Sequence, residues 1–452
     1  MSENKFDVSK RVDTVPSSSI MYRMLLVCVI FSCYQITNTY GLLSNDSCSK
    51  AVNKYNEASC KIYWNCTIEK LLRPYKYIRR DFFSNLQPKD VGHTPLWLRI
   101  SRKKLYCVLH PNISVQRQSL RLKPYRALHY INRINGILKS SSTFIPDETE
   151  WWSHQSDWAK VPEGEDVPPV FSISGAKGYA DLAGIPFMSF TDRLAQRENK
   201  AFQYYDQQFD SEISFNKRWQ KKKNILYFRG GLTDCEMAAK YHNGDVRYCG
   251  RAKIILEKVR SKNSFLDGVS SNSRFRDVGL REECDECFQP RLRGFDFVEE
   301  LVSHKYLLNF PGAGNWSRRM ALLLRSGGVV FQAESEGYQF YELNLKPGLH
   351  FIPFNIDLGS IGAGNLISRV QWAEENEEVA RQIAFRSGTF SKYCLKENSI
   401  NYFIEVLLQE YSKLLIGSSV KLPMVDLSSC LAGPNEKSIA RMCQETIHKC
   451  WK

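Results

Sequence analysis

Residues 305–354 read KYLLNFPGAGNWSRRMALLLRSGGVVFQAESEGYQFYELNLKPGLHFIPF and alternate short apolar runs with glycine-rich breaks. The run from Tyr306 to Phe310 predicts a buried strand, which Pro311 to Gly314 ends. Ser317 to Arg325 then carries helix formers, and the Ser-Gly-Gly that follows stops this helix before another apolar run. Strand, glycine-rich turn, helix and strand in this order are the layout of half a nucleotide-binding α/β unit.

The turn between the first strand and the helix has the chemistry of a phosphate site. A glycine-rich turn that leads into a helix N-terminus offers backbone N–H groups and the positive end of the helix dipole to an anion. Arg318 and Arg319 in the first turn of the helix would add charge-assisted contacts to a diphosphate. The spacing is neither GxGxxG nor GxxxxGKS, so on spacing alone a purely structural turn stays open.

The length and composition of the chain indicate a globular protein of more than one domain. A chain of 452 residues exceeds what one ordinary core can bury, so two or three domains are expected. The chain is 43% hydrophobic and 12% aromatic, which excludes general disorder.

The formal charge of +14 raises the question of a nucleic-acid partner. The basic residues are spread along the chain, and tight runs such as Lys221 to Lys223 are short. The sequence carries no zinc-finger spacing, RNP signature or basic region with heptads. A basic secretory protein that handles an anionic nucleotide donor fits the charge as well, and we expect no nucleic-acid partner.

The cysteines favour an oxidising compartment. Of fourteen cysteines, Cys28 and Cys33 lie in an apolar N-terminal stretch, and the twelve others form an even set. Cys284 and Cys287 resemble half of a zinc site, but no second CxxC or His pair lies at a suitable spacing. Disulfides are therefore predicted, with their connectivity left open and no metal expected.

The N-terminal stretch from Met21 to Tyr34 is apolar, and basic residues precede it. It is short for a membrane span of about 20 residues and suits a signal peptide or an uncleaved signal anchor, between which the sequence does not decide. Either reading makes the rest of the chain lumenal or extracellular. We expect the lumen of the endoplasmic reticulum or Golgi, in a soluble or type II membrane-anchored protein. Four N-glycosylation sequons follow this stretch, at Asn45, Asn65, Asn112 and Asn315.

Periodicity predicts the elements of both halves of the chain. Strands are expected at Leu96–Ile100, Lys104–Val108, Val170–Ser174 and Ile225–Phe228. Helices are expected at Ser119–Leu138, Phe295–Ser303, Asn365–Arg386 and Ser399–Leu415. The expected division is a disordered region at 1–20, the signal or anchor at 21–43, a first domain with a cysteine-rich start at 44–218, a second domain at 219–416, and a cysteine-containing tail at 417–452.

Several separated motifs resemble one family of glycosyltransferases, the family of the Rumi-type protein O-glucosyltransferases and the fungal capsule-associated xylosyltransferases. The motifs are Tyr227-Phe-Arg-Gly230, Tyr306-Leu-Leu-Asn-Phe310, Trp316-Ser-x-Arg319 and Leu345-Lys-Pro-x-x-His-x-Ile-Pro353. In the first half, Ile145-Pro-Asp147 and Pro169-Val-Phe-Ser-Ile-Ser174 follow in the family's order. The similarity covers roughly residues 70–415.

The resemblance implies a fold and a reaction. The fold is the GT-B type, in which two Rossmann-like α/β domains face a cleft, here with C-terminal helices closing the structure. The reaction is an inverting transfer from a UDP-sugar to a Ser or Thr hydroxyl of a secretory protein such as an EGF-like domain, with glucose favoured over xylose. An Asp serves as general base, and no metal is obligatory, because arginines and a helix N-terminus can stabilise the leaving diphosphate.

The resemblance also assigns candidate site residues. Asp157, in Ser156-Asp-Trp158, falls where the family has its base. The candidate donor-binding residues are Arg229, Gly231, Gly312, Ala313, Gly314, Asn315, Trp316, Ser317 and Arg319.

The chain departs from the family pattern at three of its motifs. Ala159 replaces the proline that follows the base, Met237 replaces an arginine of the donor half, and Gln339 replaces a glutamate before the paired aromatics. These departures keep a second hypothesis open, a catalytically inactive member that acts as a lumenal binding or chaperone-like protein.

Overall fold

The computed structural model describes residues 48, 55–112, 124–140, 145–156, 159–164, 166–184, 193–206, 211–230, 250–254, 266–270, 292, 295–310, 318–335, 337–355, 364–430, 443 and 445–451. These residues belong to one compact unit by their contacts. The division into domains at residues 218 and 219 therefore stays a prediction, and the predicted segments 1–20 and 21–43 lie outside the described residues.

The described residues include four β-sheets, ten α-helices with defined bounds, and further helical residues at 250–254 and 445–449. The helices are α1 (Glu57–Leu72), α2 (Pro88–Val91), α3 (Pro124–Ser140), α4 (Arg193–Asp206), α5 (Glu212–Trp219), α6 (Phe295–Ser303), α7 (Arg318–Arg325), α8 (Leu366–Glu375), α9 (Glu377–Cys394) and α10 (Glu397–Leu414). A 3₁₀ helix covers Arg80–Ser84. The predicted mixed α/β class is confirmed.

The strands divide between the sheets as follows. The first sheet has six strands in the order β15-β3-β2-β4-β5-β7: β2 (Leu96–Ser101), β3 (Lys104–Val108), β4 (Thr149–Ser153), β5 (Val170–Ser172), β7 (Asp181–Ala183) and β15 (Met424–Asp426). The second sheet has five in the order β13-β11-β10-β8-β9: β8 (Lys223–Gly230), β9 (Leu266–Ser270), β10 (His304–Asn309), β11 (Val329–Ala333) and β13 (Ile352–Phe354). Two small sheets pair β1 (Ile78–Arg79) with β14 (Leu415–Ile416) and β6 (Ser174–Ala176) with β12 (Gly337–Gln339).

The second sheet is parallel throughout. Its interior strands β10 and β11 are almost continuously buried, as expected of strands covered on both faces. From β8 the chain moves outward to β9, then returns to the other side of β8 to form β10, β11 and β13. The gap between β8 and β10 is therefore a topological switch point, which is where open α/β sheets bind ligands at the carboxyl ends of their strands.

The helix predicted after this gap is present and ends as the sequence indicates. Helix α7 ends at Arg325, and the Ser326 hydroxyl donates to the Leu323 carbonyl at 2.6 Å. Gly327 then takes a φ of +69°, a left-handed conformation that glycine adopts without strain. The chain can thus turn sharply from α7 into β11.

The first sheet is mixed. Its strands β2, β3 and β15 run antiparallel to their neighbours, while β4, β5 and β7 are parallel. The predicted strand Val170–Ser174 is shorter than expected, because the Ser172 hydroxyl donates to the Ser174 carbonyl at 2.6 Å and the chain leaves for another sheet. That next segment, β6, pairs antiparallel with β12, which follows β11 of the second sheet.

One predicted helix is wrong in its extent. The stretch Asn365–Arg386 was expected as one helix, but α8 ends at Glu375 and α9 begins at Glu377. Asn376 between them has φ −114° and ψ 47°, and its amide Nδ2 donates to the Trp372 carbonyl at 2.9 Å. Asn side chains compete in this way with helical backbone hydrogen bonds.

Two disulfides fix the N-terminal helix. Cys48 pairs with Cys66, within the predicted cysteine-rich start, and Cys60 pairs with Cys394. The second bond joins α1 to the end of α9, a pairing that sequence spacing does not indicate. It ties the first described helix to the helices that follow the second sheet.

Candidate active site

The candidate site lies at the carboxyl ends of β8 and β10. These strands are neighbours in register, with Leu226 opposite Tyr306 and Tyr227 opposite Leu307. The described part of β8 ends at Gly230, and the chain that follows β10 leads into α7 at Arg318. The N-terminus of α7 therefore follows directly from the switch point.

Arg319 reaches from the first turn of α7 to the end of β8. A Cβ placed on Gly230 would lie 2.6 Å from Nη2 and 2.9 Å from Cζ of Arg319. The guanidinium carbon also lies 5.5 Å from the centre of the Phe228 ring, within the range of a cation–π contact. The Tyr-Phe-Arg-Gly motif thus supplies a ring and a bare backbone position against which the guanidinium packs.

The Arg319 guanidinium therefore lies at the switch point between β8 and β10, the position at which open α/β sheets bind ligands. The guanidinium is always charged and offers planar pairs of N–H donors, the geometry that suits phosphate oxygens. Arg229 lies one residue before Gly230 and is half-buried. The structure therefore brings one predicted donor residue, Arg319, onto the end of the strand that contains another, Arg229.

The other predicted site residues lie outside the described residues. These are Asp157, Gly231, Gly312, Ala313, Gly314, Asn315, Trp316 and Ser317. Their roles stay predictions.

The segment that leads to Asp157 follows β4, at the carboxyl edge of the first sheet. His154 N–H donates to the Phe171 carbonyl at 3.0 Å, and Gln155 N–H donates to the His93 carbonyl at 2.7 Å. The Ser156 hydroxyl accepts from His93 N–H at 2.7 Å. Residues 154–156 are fully buried, although their side chains are polar. Backbone hydrogen bonds thus fix the chain immediately before Asp157.

Asp181 of β7 holds the same segment from its other side. One carboxylate oxygen accepts from the ring Nε2 of His154, and the other accepts from the backbone N–H groups of Lys160 at 2.9 Å and Val161 at 2.7 Å. The His154 Nδ1 accepts from Ser156 N–H at 3.1 Å, so the proton of the ring is on Nε2. Asp181 and His154 are both completely buried, and together they bind the chain on both sides of positions 157 and 158.

The carboxyl edges of the two sheets are joined by the small sheet of β6 and β12. Strand β6 follows the carboxyl end of β5, which is parallel to β4, and β12 follows the carboxyl end of β11, which is parallel to β10. The segment before Asp157 and the Gly230–Arg319 contact thus both belong to edges that this small sheet connects.

Comparison with known proteins identifies the family. The family model described as "Glycosyl transferase family 90" matches residues 56–449. The chain belongs to glycosyl transferase family 90. It is a glycosyltransferase, and the family implies a nucleotide-sugar donor.

The relatives of this family 90 chain include named protein glycosyltransferases. It is 29% identical over 333 residues to "Protein O-glucosyltransferase 1" of Homo sapiens, which covers 71% of this chain and 78% of the relative. "Protein O-glucosyltransferase 2" of Danio rerio is 24% identical over 275 residues, 60% of this chain and 48% of the relative. The resemblance to the Rumi-type family is confirmed.

A solved structure titled "Crystal Structure of Glycosyltransferase from Rickettsia africae ESF-5" is also similar. It covers 67% of this chain and 88% of its own, at 10% identity and a TM-score of 0.29. A TM-score this low adds nothing to what the sheets of the family 90 chain already establish.

A half-buried glutamate, Glu342, lies three residues after the bridging strand β12 ends. Gln339, which replaces a glutamate of the family pattern, donates its backbone N–H and its side-chain Nε2 to the carboxylate of Glu342, each at 2.9 Å. Burial raises the pKa of Glu342 to about 7, and the hydrogen bonds from Gln339 oppose this rise. An acidic group is therefore retained beside position 339, supplied from three residues further along.

The sequence patterns did not indicate Asp181 as part of the site. Asp181 gave no motif, since it is an isolated acidic residue at the start of a short apolar run. No strand was predicted at this position, and only the structure shows that the Asp181 carboxylate is buried and needs hydrogen-bond donors.

Two features are absent from the part of the chain that the structure describes. Among the described residues, no three His, Cys, Asp or Glu side chains are grouped so that they can hold a metal ion. None of the described helices is long and apolar enough to cross a membrane.

Proposed function

We propose that this family 90 enzyme transfers a sugar, glucose rather than xylose, from a UDP-sugar to a Ser or Thr hydroxyl of a secretory-pathway protein such as an EGF-like domain. The transfer inverts the anomeric configuration and takes place in a GT-B cleft between the two large sheets. One observation carries the donor half of this proposal, the packing of the Arg319 guanidinium on Gly230 at the switch point of the parallel sheet.

The donor binds at the carboxyl edge of the second sheet. The backbone from Gly231 and from Gly312 through Ser317 wraps the nucleotide, with the N-terminus of α7 towards the diphosphate. Arg319 contacts the diphosphate oxygens, and Arg229 lines the same cleft. As the bond to the sugar breaks, negative charge grows on the leaving UDP, so fixed positive groups here lower the barrier without an obligatory metal.

Asp157 acts as the general base. A neutral hydroxyl is a weak nucleophile, and a carboxylate must accept its proton as the oxygen attacks the anomeric carbon. The hydrogen bonds to Asp181, His154 and His93 support this role, because they fix the chain on both sides of Asp157. A base must be held within hydrogen-bond reach of its proton, and a fixed chain lowers the cost of reaching that geometry.

The acceptor and the compartment are proposed from several independent features. Relatives named protein O-glucosyltransferases support a protein acceptor. The two disulfides, the four sequons and the apolar stretch at 21–34 support a lumenal protein of the endoplasmic reticulum or Golgi, soluble or held by an N-terminal anchor.

The test is release of UDP by the protein purified from a secretory expression host. UDP-glucose, UDP-xylose and other UDP-sugars are each incubated with a folded EGF-like domain, and transfer is read by the mass of the intact acceptor. We expect transfer from UDP-glucose and its loss in Asp157→Asn, by about 10³-fold or more. Glu163→Gln, six positions further along in an exposed loop, serves as the matched control.

The departures at Ala159, Met237 and Gln339 favour one second candidate, an inactive member that binds protein in the lumen. The same experiment separates the two functions. Binding of an EGF-like domain with neither UDP release nor UDP binding by calorimetry supports the second candidate and contradicts the first.

A further inference from the structure

The described residues of the C-terminal segment, 417–430, 443 and 445–451, lie against the first sheet. Strand β15 pairs antiparallel with β3, with Val425 opposite Cys107. Leu427 N–H donates to the Leu105 carbonyl at 2.9 Å, and the buried Trp451 indole donates to the Pro95 carbonyl at 2.8 Å. The segment therefore covers the edge of the sheet whose other strands lead towards Asp157.

Four cysteine side chains lie buried between this segment and the sheet. Their exposed fractions are 1% for Cys107, 0% for Cys430 and Cys443, and 3% for Cys450. In the structure all four are unbonded thiols. They form two pairs, because the thiol of Cys430 contacts that of Cys443 and the thiol of Cys450 contacts that of Cys107.

The backbone around the thiol pairs is held by further hydrogen bonds. The side-chain amide of Asn135, on α3, donates to the carbonyls of Leu427 at 2.7 Å and Cys430 at 3.2 Å. Cys450 N–H donates to the Ile447 carbonyl at 2.9 Å. Each thiol is thus presented to its partner from a fixed position in a close-packed interior.

The environment of these thiols favours disulfides over a metal site. A metal would draw three or four thiolates around one point, but the four cysteines do not form such a group within the described chain. The same protein already holds the Cys48–Cys66 and Cys60–Cys394 disulfides, which form in an oxidising compartment. Paired thiols in that compartment are oxidised.

We propose that Cys107–Cys450 and Cys430–Cys443 are disulfides of the mature protein and that they fasten the C-terminal segment to the first sheet. Each bond forms by thiol–disulfide exchange with the disulfide of an oxidoreductase or of glutathione. Two S–H bonds are lost, one S–S bond forms, two protons leave, and the electron pair reduces the partner disulfide to two thiols. The inference is independent of the proposed donor, acceptor and base.

The burial of the thiols determines when exchange takes place. Burial raises the pKa of the Cys430 thiol and of the Cys450 thiol, so the thiolate that attacks a disulfide is disfavoured once the segment has docked. Exchange therefore precedes the final docking of the segment. After docking, the same burial keeps reductants away from the bonds.

Peptide mapping tests the proposal on the full-length wild-type protein. The protein is purified from a secretory expression host and alkylated under denaturing conditions without reductant. It is then treated to remove N-linked glycans and digested with trypsin. Cleavage after Lys104, Arg117, Lys437, Arg441 and Lys449 separates all four cysteines into different peptides. Each pairing therefore gives a unique cross-linked mass that reduction splits into two known peptides.

The expected result is a 105–117 peptide joined to 450–452, and a 422–437 peptide joined to 442–449. Alkylated cysteines at all four positions would overturn the proposal, and so would a bond between Cys430 and Cys450 or between Cys107 and Cys443. Because the mapping uses the wild-type protein, a variant that fails to fold does not affect it.

Two matched double variants then measure the effect of each bond. Cys107→Ser with Cys450→Ser removes the link across most of the chain, and Cys430→Ser with Cys443→Ser removes the short loop. The loop-closure entropy grows with loop length. The melting temperature of the first variant should therefore fall further below that of the wild type than the melting temperature of the second. Equal melting temperatures for the wild type and both variants under non-reducing conditions would contradict the fastening role.

Discussion

The two large sheets of the protein are built differently, and the difference matches the work proposed for each. The second sheet is uniformly parallel, and its one switch point is followed by a helix that carries Arg319. The first sheet mixes parallel and antiparallel strands, and buried polar groups fix the segment that leads to Asp157. In the parallel sheet, the order of the strands alone places a switch point where an anion can bind. In the mixed sheet, specific buried side chains are needed to fix the segment that leads to Asp157.

The two sheets therefore respond differently to substitution. Substitutions at the carboxyl edge of the second sheet should impair donor binding and leave the fold intact, because Arg319 is half-buried and does not belong to the apolar core. Damage to the first sheet's polar network should weaken the fold and the reaction together, because Asp181 and His154 are completely buried.

After the loss expected from Asp157→Asn, the largest effect is expected from Arg319→Ala. Removal of the guanidinium from the diphosphate should lower kcat/KM for UDP-sugar by about 10²–10³-fold. The control is Arg325→Ala, at the other end of the same helix, where the guanidinium pairs with Asp206 at 2.6 Å. Kinetics of UDP release measure both, and an Arg319→Ala enzyme within threefold of the wild type would contradict the donor role.

Asp181→Asn tests the network of the first sheet. The carboxylate accepts from three N–H groups, and an amide cannot accept from all of them, so at least one buried donor loses its partner. We expect a loss of about 3 kcal/mol in the free energy of unfolding.

The matched variant is Asp426→Asn, an exposed residue that pairs with Lys104 at 3.4 Å. It should cost no more than about 0.5 kcal/mol. Urea unfolding followed by circular dichroism measures both variants. Equal costs for the two substitutions would show that the buried network does not fix the loop.

Glu342→Gln tests the connection between the sheets. The folded pKa of about 7 lies above the ordinary value of 4.5, so the stability from this group is fully present below pH 4.5 and is lost as the pH rises through 7. The wild type should lose on the order of 2 kcal/mol of unfolding free energy across this window, and the variant should lack that loss. Urea unfolding at pH 5, 6, 7 and 8 gives the comparison, and parallel profiles would refute the assignment.

The smallest effect is expected from Gly230→Ala. The added methyl group would collide with the Arg319 guanidinium, which can swing away, so the fold is kept while the donor contact is displaced. A loss of one charge-assisted contact corresponds to about a 10–100-fold weaker affinity for UDP. Gly136→Ala, in α3, is the control because a Cβ there meets no atom within 4 Å, and calorimetry with UDP should give wild-type affinity for it.

Sequence patterns predicted the elements of the second sheet better than those of the first. Helix α6 has the bounds predicted for it, Phe295–Ser303, and β10, α7 and β11 follow in the predicted order. Apolar runs and glycine breaks carry this information locally. The split at Asn376 and the departure of the chain after Ser172 were not predicted, because each depends on one side chain that competes for a backbone hydrogen bond.

The candidate site was predicted from motifs in part. Arg319 and the Phe-Arg-Gly strand were found by resemblance, and the structure places Arg319 on Gly230. Asp181 was not found, because an isolated carboxylate carries no spacing signal. Its function depends on which backbone N–H groups the fold brings to it.

The sequence by itself determined the family, the mixed α/β class and the order of strands and helices around the glycine-rich turn. These properties follow from local periodicity, from turn residues and from motifs a few residues long. The tertiary structure decided the contact of Arg319 with Gly230, the hydrogen bond of Asp181 with His154 in the segment before Asp157, the Cys60–Cys394 bond, and the contacts of Cys107 with Cys450 and of Cys430 with Cys443. Such contacts join residues far apart along the chain, and they exist because packing brings particular side chains together, which no periodic pattern records.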